Sequence, residues 1–201
     1  MDKVNRIGVF GGTFDPIHKG HLAIARAARE QAELDKVLFV IAANPPHKNG
    51  VAVTPAQERV AMTAVAIADE PGFEISRVEL DRPGPSYTAD TLARLRDALA
   101  PAELFFIVGY DSALDMPRWR HPQTVLRLAT LLVAPRPDNS SPLPPMIREK
   151  CVLLHMEEYP VSSSAIRERM ARGEDMSGWL PPAVQEIIDA KGLYRADSKG
   201  A

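Results

Sequence analysis

The residues best suited by type and spacing to do chemistry lie in one stretch near the N-terminus: Gly11-Gly12-Thr13-Phe14-Asp15-Pro16-Ile17-His18-Lys19-Gly20-His21. Gly11 and Gly12 permit positive φ and close approach of a ligand to the backbone. Gly20 keeps the mouth of a following helix open, so that N–H groups can face an anion. His18 and His21 are three residues apart. If a helix begins near His18, that spacing puts both imidazoles on one face, aimed at one phosphate; the other reading is of helix-start histidines satisfied by local backbone, with Gly11-Gly12 a tight turn. Two such donors can meet the charge that builds on the non-bridging oxygens of an α-phosphate in a transition state, without a covalent intermediate.

A loop of this kind needs a strand before it and a helix after it. Residues 7–10 form a short apolar run ending at the glycines, and residues 22–32 carry apolar side chains at helical spacing. Residues 37–41 read as a second buried strand, continuously apolar as in a parallel sheet covered on both faces. Thr54 as N-cap, Pro55 in the first turn and Gln57 in a capping box predict a helix that runs through 60–67. Further strands are predicted at 73–80, at 104–108 closed by Gly109, at 130–134 and at 152–156. Further helices are predicted at 88–99, 164–172 and 182–191, the last stopped by Gly192. Residues 135–145, rich in proline and polar side chains, read as a surface loop, and 195–201 as a frayed tail. The alternation predicts a doubly wound α/β fold with a mostly parallel sheet and a small C-terminal helical portion, in one domain over residues 1–201.

The 201 residues are 45% hydrophobic and 25% charged, with a formal net charge of -2. Such a chain has no overall positive field to hold a polyanion, which argues against long nucleic acid as a partner. Cys151, the single cysteine, stands in an apolar run and reads as a small core residue; a disulfide within the chain is excluded. Met1-Asp2-Lys3 runs directly into the first strand with no leader pattern, and no membrane-length apolar segment follows, so a soluble cytoplasmic protein without a membrane partner is expected. No cluster of His, Cys, Asp and Glu points to a permanent metal site. Oligomeric state leaves no mark in the residue pattern.

Other positions could join the first loop. Trp119 follows Pro117-Arg118 in a predicted loop, where it either stacks on a flat ring or anchors the loop in the core. Trp179 is expected to pack against the last helix. Tyr87-Thr88 opens a helix, with Thr88 as N-cap and first-turn N–H groups able to receive a carboxylate. His47 and Lys48 follow two prolines that stiffen an extended loop; they either meet a substrate or belong to a solvated polar turn. Asp111, just beyond Gly109, suits the two hydroxyls of a ribose or a helix N-cap. Ser162, Ser163 and Ser164 with Arg167 combine an anion-binding helix start with a bidentate fork. Arg136 either reaches a substrate phosphate or stays on the surface.

The first loop resembles the nucleotidyltransferase superfamily that shares its HxGH signature with class I aminoacyl-tRNA synthetases. Pro45-Pro46-His47-Lys48, Pro85-Ser86-Tyr87-Thr88-Ala89-Asp90-Thr91, Gly109-Tyr110-Asp111-Ser112, Trp119 and Ser162-Ser163-Ser164-Ala165-Ile166-Arg167 follow in order. Together they resemble the bacterial nicotinate-nucleotide adenylyltransferases, from Arg6 to Tyr194. Val161 and Ser164 depart from that family's usual isoleucine and threonine, changes that preserve the chemistry.

The resemblance implies attack by the 5′-phosphate of nicotinate mononucleotide on the α-phosphorus of ATP, giving deamido-NAD and pyrophosphate in NAD biosynthesis, with Mg²⁺ carried by ATP. It implies catalytic roles for His18, His21 and Arg167. It implies an ATP site from Gly11, Gly12, Thr13, Phe14, Gly20, Gly109, Asp111, Ser162, Ser163, Ser164 and Ile166. The pyridine nucleotide would meet Asn44, His47, Lys48, Tyr87, Thr88, Trp119, Arg120 and Arg136, with backbone amides near Thr88 and Arg120 separating acid from amide. Trp119 and Tyr87-Thr88 speak against a phosphopantetheine or glycerol-phosphate transferase, and intact His18, His21 and Arg167 against a sensor without turnover. A short, slightly acidic chain with no tRNA-binding region speaks against a synthetase fragment.

Overall fold

The computed structural model describes residues 4–43, 53–82, 84–136, 141–157 and 159–195. Among them the strands β1 (Arg6–Gly12), β2 (Lys36–Ile41), β3 (Phe73–Ser76), β4 (Glu103–Gly109), β5 (Thr130–Ala134) and β6 (Cys151–Leu153) form one sheet in the order β3-β2-β1-β4-β5-β6. Every neighbouring pair is parallel. The connecting helices are α1 (Lys19–Gln31), α2 (Ala56–Ile67), α3 (Thr88–Leu99), α4 (Tyr110–Asp115), α5 (Pro122–Leu128), α6 (Pro145–Arg148), α7 (Ser163–Ala171) and α8 (Pro182–Lys191).

Strand side chains alternate between two apolar layers, because successive residues of a strand point to opposite faces. Val37, Phe39 and Ile41 join the layer built with α1, α2, α7 and α8, whereas Leu38 and Val40 join the layer built with α3, α4, α5 and α6. Both faces are therefore buried, which is why these strands read as continuous apolar runs. The doubly wound α/β architecture expected from the sequence is the one observed, with all strands of the sheet parallel. Among the described residues no helix is long and apolar enough to cross a membrane.

Local differences have physical reasons. β3 stops at Ser76 rather than reaching residue 80, because the chain turns there and Asp81 N–H donates to Arg77 O at 3.0 Å. β6 is likewise shorter, although Leu154 N–H still donates to Val133 O at 2.9 Å. Helix α2 begins at Ala56 with Pro55 as its N-cap and no side-chain cap. Thr54 does not cap it; its hydroxyl donates to the Tyr194 hydroxyl at 3.3 Å instead. Thr88 is the first residue of α3 and Tyr87 its N-cap, again without a side-chain cap. Helices α4 and α5 occupy segments to which the sequence assigned no element, and α6 begins at Pro145, where the predicted loop ends. Cys151 is half-buried on the edge strand rather than a core residue, and burial raises its thiol pKa. Trp179 packs in the α8 layer as expected, and α8 ends at Gly192, whose φ of 61° closes the helix.

Candidate active site

The strand order reverses at β1, whose neighbours are β2 on one side and β4 on the other. In an open parallel sheet, connections leave such a point in opposite directions and open a crevice at the carboxyl ends of the strands. A cleft of about 1050 Å³ lies there. Residues 11–14 at the end of β1, Ala42 after β2, residues 109–112 after β4, and Pro135 and Arg136 after β5 line it. Ser86, Tyr87, Thr88, Trp119 and Arg120 form one side wall, and residues 159–163 with Ala165 another.

The imidazole pair sits at the mouth of α1, with His18 as N-cap and His21 in the first turn. Their rings stack, with centroids 3.7 Å apart and planes at 28°. Both line the cleft. His18 N–H donates to His21 Nδ1 at 3.2 Å, which assigns the proton of a neutral His21 ring to Nε2. His21 is thereby fixed as a donor tautomer. Phe14 and Phe10 approach the His21 ring at 5.1 and 6.0 Å, completing an apolar box that disfavours a second proton. Burial lowers the His18 pKa to about 4, and burial followed by the neighbouring His18 lowers that of His21 well below the ordinary histidine value. The site holds two neutral imidazoles.

The glycines serve close packing. Neither Gly11 nor Gly12 has positive φ, against expectation; the left-handed residue of the loop is Phe14, at φ 49°. A Cβ on Gly12 would meet the Phe14 ring at 2.9 Å, and one on Gly20 would meet the His18 ring at 3.1 Å and Tyr159 Cβ at 3.2 Å. These positions therefore let aromatic rings close over the backbone.

Beneath the loop lies a polar cluster that the sequence did not reveal. Asp15 is 1% exposed, and Tyr194 Oη donates to its Oδ1 while Thr54 N–H donates to its Oδ2 at 3.3 Å. Arg59, also 1% exposed, donates to Thr13 O at 2.8 Å, Ala42 O at 2.9 Å and Thr54 O at 2.8 Å. The signal for Arg59 was its spacing: Arg59, Met62, Thr63, Ala66 and Ile67 are the buried residues of α2, so a charge occupied the first position of a helical apolar stripe.

The remaining residues divide. Thr13, Phe14, Gly109, Asp111, Tyr87, Thr88, Trp119, Arg120, Arg136, Ser162 and Ser163 line the cleft with the histidines. Trp119 is half-buried and meets Phe106 edge-on at 6.2 Å, so it anchors its loop and still presents a face to the cleft. Arg120 lies over the Tyr87 ring at 4.6 Å. Asp111 is ion-paired with Arg136, and Gly109, not Asp111, caps α4. Ser162 caps α7 by accepting from Ala165 N–H at 3.2 Å. Ser163 donates to Pro16 O at 2.9 Å. Ile166 is fully buried in the core. Arg167 donates to Asp15 O at 2.7 Å, and Gly20, Ser164, Ile166 and Arg167 are not among the lining residues. Asn44, His47 and Lys48 lie outside the described residues.

A family model described as cytidylyltransferase-like matches residues 9–169, which defines the chain as a nucleotidyltransferase of the fold described above. A protein of Thermus thermophilus named "Probable nicotinate-nucleotide adenylyltransferase" is 47% identical over 193 residues, covering 94% of this chain and 100% of the relative. A protein of the same name from Thermomicrobium roseum is 42% identical over 198 residues, covering 96% and 92%. The chain belongs to the nicotinate-nucleotide adenylyltransferase family. The fold matches that of Plasmodium falciparum nicotinic acid mononucleotide adenylyltransferase complexed with NaAD, with a TM-score of 0.81 at 18% identity over 94% of this chain and 97% of that one.

Proposed function

We propose that the chain catalyses direct in-line transfer of the adenylyl group of ATP to the 5′-phosphate of nicotinate mononucleotide, releasing pyrophosphate and deamido-NAD. The observation that carries this reading is the stacked His18–His21 pair, with His21 Nδ1 already engaged and Nε2 left to donate. A donor fixed before the reaction needs no reorganisation as charge builds on the α-phosphate. The acceptor lies along the wall of Tyr87, Thr88 and Trp119, where a flat ring meets an indole and a carboxylate meets the start of α3. The leaving pyrophosphate lies toward Ser162 and the start of α7, with Arg167 behind it.

Magnesium arrives on the triphosphate and supplies charge neutralisation there. Among the described residues the carboxylates lining the cleft are Glu79 and Asp111, and no group of three or more His, Cys, Asp and Glu side chains gathers to hold a metal. A donor set this sparse suits an ion that keeps most of its water and phosphate ligands. Purified protein given ATP, Mg²⁺ and equal concentrations of nicotinate mononucleotide, nicotinamide mononucleotide or phosphopantetheine tests the reading by pyrophosphate release and product mass. Fastest turnover with the nicotinate acid is expected; product from phosphopantetheine alone overturns it.

A further inference from the structure

Glu79 lies in the turn after β3 and is 7% exposed, yet it lines the cleft. Thr91 Oγ1 donates to one of its carboxylate oxygens at 2.6 Å. That hydroxyl also lies 3.2 Å from Tyr87 O, so Glu79 is tied to the first turn of α3, on the wall assigned to the acceptor. Among the described residues no lysine, arginine or histidine forms an ion pair with it. A buried carboxylate with one hydroxyl partner and no ion pair is costly to desolvate, a cost offset when a positive charge enters beside it.

The two substrates differ in this respect. ATP brings only negative charge. A nicotinate mononucleotide brings one permanent cation, the ring nitrogen made quaternary by its bond to ribose. Resting on the proposed reaction, we propose that Glu79 is a specificity residue whose carboxylate is the counter-charge of the acceptor's pyridinium ring. The ring would then meet two features of one wall: its nitrogen faces the Glu79 carboxylate and its own 3-carboxylate faces the N–H groups at the start of α3. A reduced, dihydropyridine mononucleotide has nearly the same outline and no ring charge. The site would therefore read the oxidation state of the ring as well as its shape.

The test compares binding of nicotinate mononucleotide and its 1,4-dihydro form to the wild-type chain and to Glu79→Gln, which keeps the side-chain shape and an oxygen for Thr91. Glu79→Gln is expected to weaken the oxidised nucleotide tenfold or more. The reduced form and the KM for ATP should stay within about twofold, with an unchanged melting temperature. Glu79→Asp, which keeps the charge, should restore much of the preference. Equal weakening of both ring forms, or unchanged binding of the oxidised one, overturns the proposal; so does a preference that Glu79→Asp fails to restore. Absence of any dinucleotide product from the wild-type chain overturns the reaction and this proposal together, whereas product formation with a charge-blind Glu79→Gln overturns this proposal alone.

Discussion

The hydroxyl of Tyr194 donates to Asp15 Oδ1 at 2.6 Å, joining residues 179 positions apart in the chain. Asp15 precedes the stacked histidines and Tyr194 follows the last helix, so the loop is held by the far end of the fold. Burial and the Asp15 carboxylate together raise the Tyr194 pKa, so the phenol stays protonated and remains a donor across the working range.

Replacing Tyr194 by phenylalanine leaves a buried carboxylate short of its donor. The expected loss of stability is about 1–3 kcal/mol, read as a lower midpoint in chemical denaturation. A midpoint equal to wild type would mean that water or Thr54 serves Asp15 equally well.

Arg59→Met removes the donors for three backbone carbonyls at once. We expect a larger loss than for Tyr194→Phe, on the order of 3–5 kcal/mol, with Arg59→Lys intermediate. Thr13 and Ala42 line the cleft, so the surviving folded protein should also show a raised KM. Wild-type kinetics in a destabilised variant would limit Arg59 to a structural part.

His21→Ala should lower kcat by roughly 10²–10³-fold, the usual effect of losing one preorganised donor to a transition state. Circular dichroism should show the fold retained. Turnover within a factor of two of wild type would remove His21 from the reaction.

Trp119→Ala should raise the KM for the pyridine mononucleotide well beyond that for ATP. The edge-on contact with Phe106 is lost as well, so a modest drop in melting temperature accompanies it. Steady-state kinetics with each substrate varied in turn separate the two effects, and an equal rise in both KM values would place the indole away from the ring.

Acid should weaken the fold through the same imidazoles. An unfolded His18 takes a proton near 6.5 and the folded one only near about 4. In that window the unfolded state binds more protons, so stability falls as pH drops, by about 1.4 kcal/mol per pH unit for each such ring. Denaturation midpoints measured from pH 7.5 to 4.5 should show this slope, and His18→Gln should flatten it. An equally steep slope in the variant would assign the effect to other groups.

Much of this arrangement was legible in advance. The limits of β5, α3 and α8 follow from apolar runs bounded by glycine and proline, and the histidine pair follows from its spacing at a helix start. Helices α4, α5 and α6 were not legible, because four to seven residues are too few to display a helical period and proline breaks the pattern. Thr54 was misread because its residue type suits a cap, whereas the tertiary pull of Asp15 and Tyr194 uses its polar atoms elsewhere. Arg59 and Glu79 escaped notice because a charge normally signals a solvated surface; only the topology brings their buried partners together.

The two layers of the sheet also bear on how such an enzyme changes over time. Leu22 and Ala25 of α1, which follows the histidine loop, pack in the layer of α2, α7 and α8, whereas Ala89 and Leu92 of α3 pack with Met116 and Trp119 in the other. The histidine loop and the wall of Tyr87, Thr88 and Trp119 thus rest on separate cores, divided by the sheet. Mutational drift in one core can reshape that wall while the histidine loop is inherited intact.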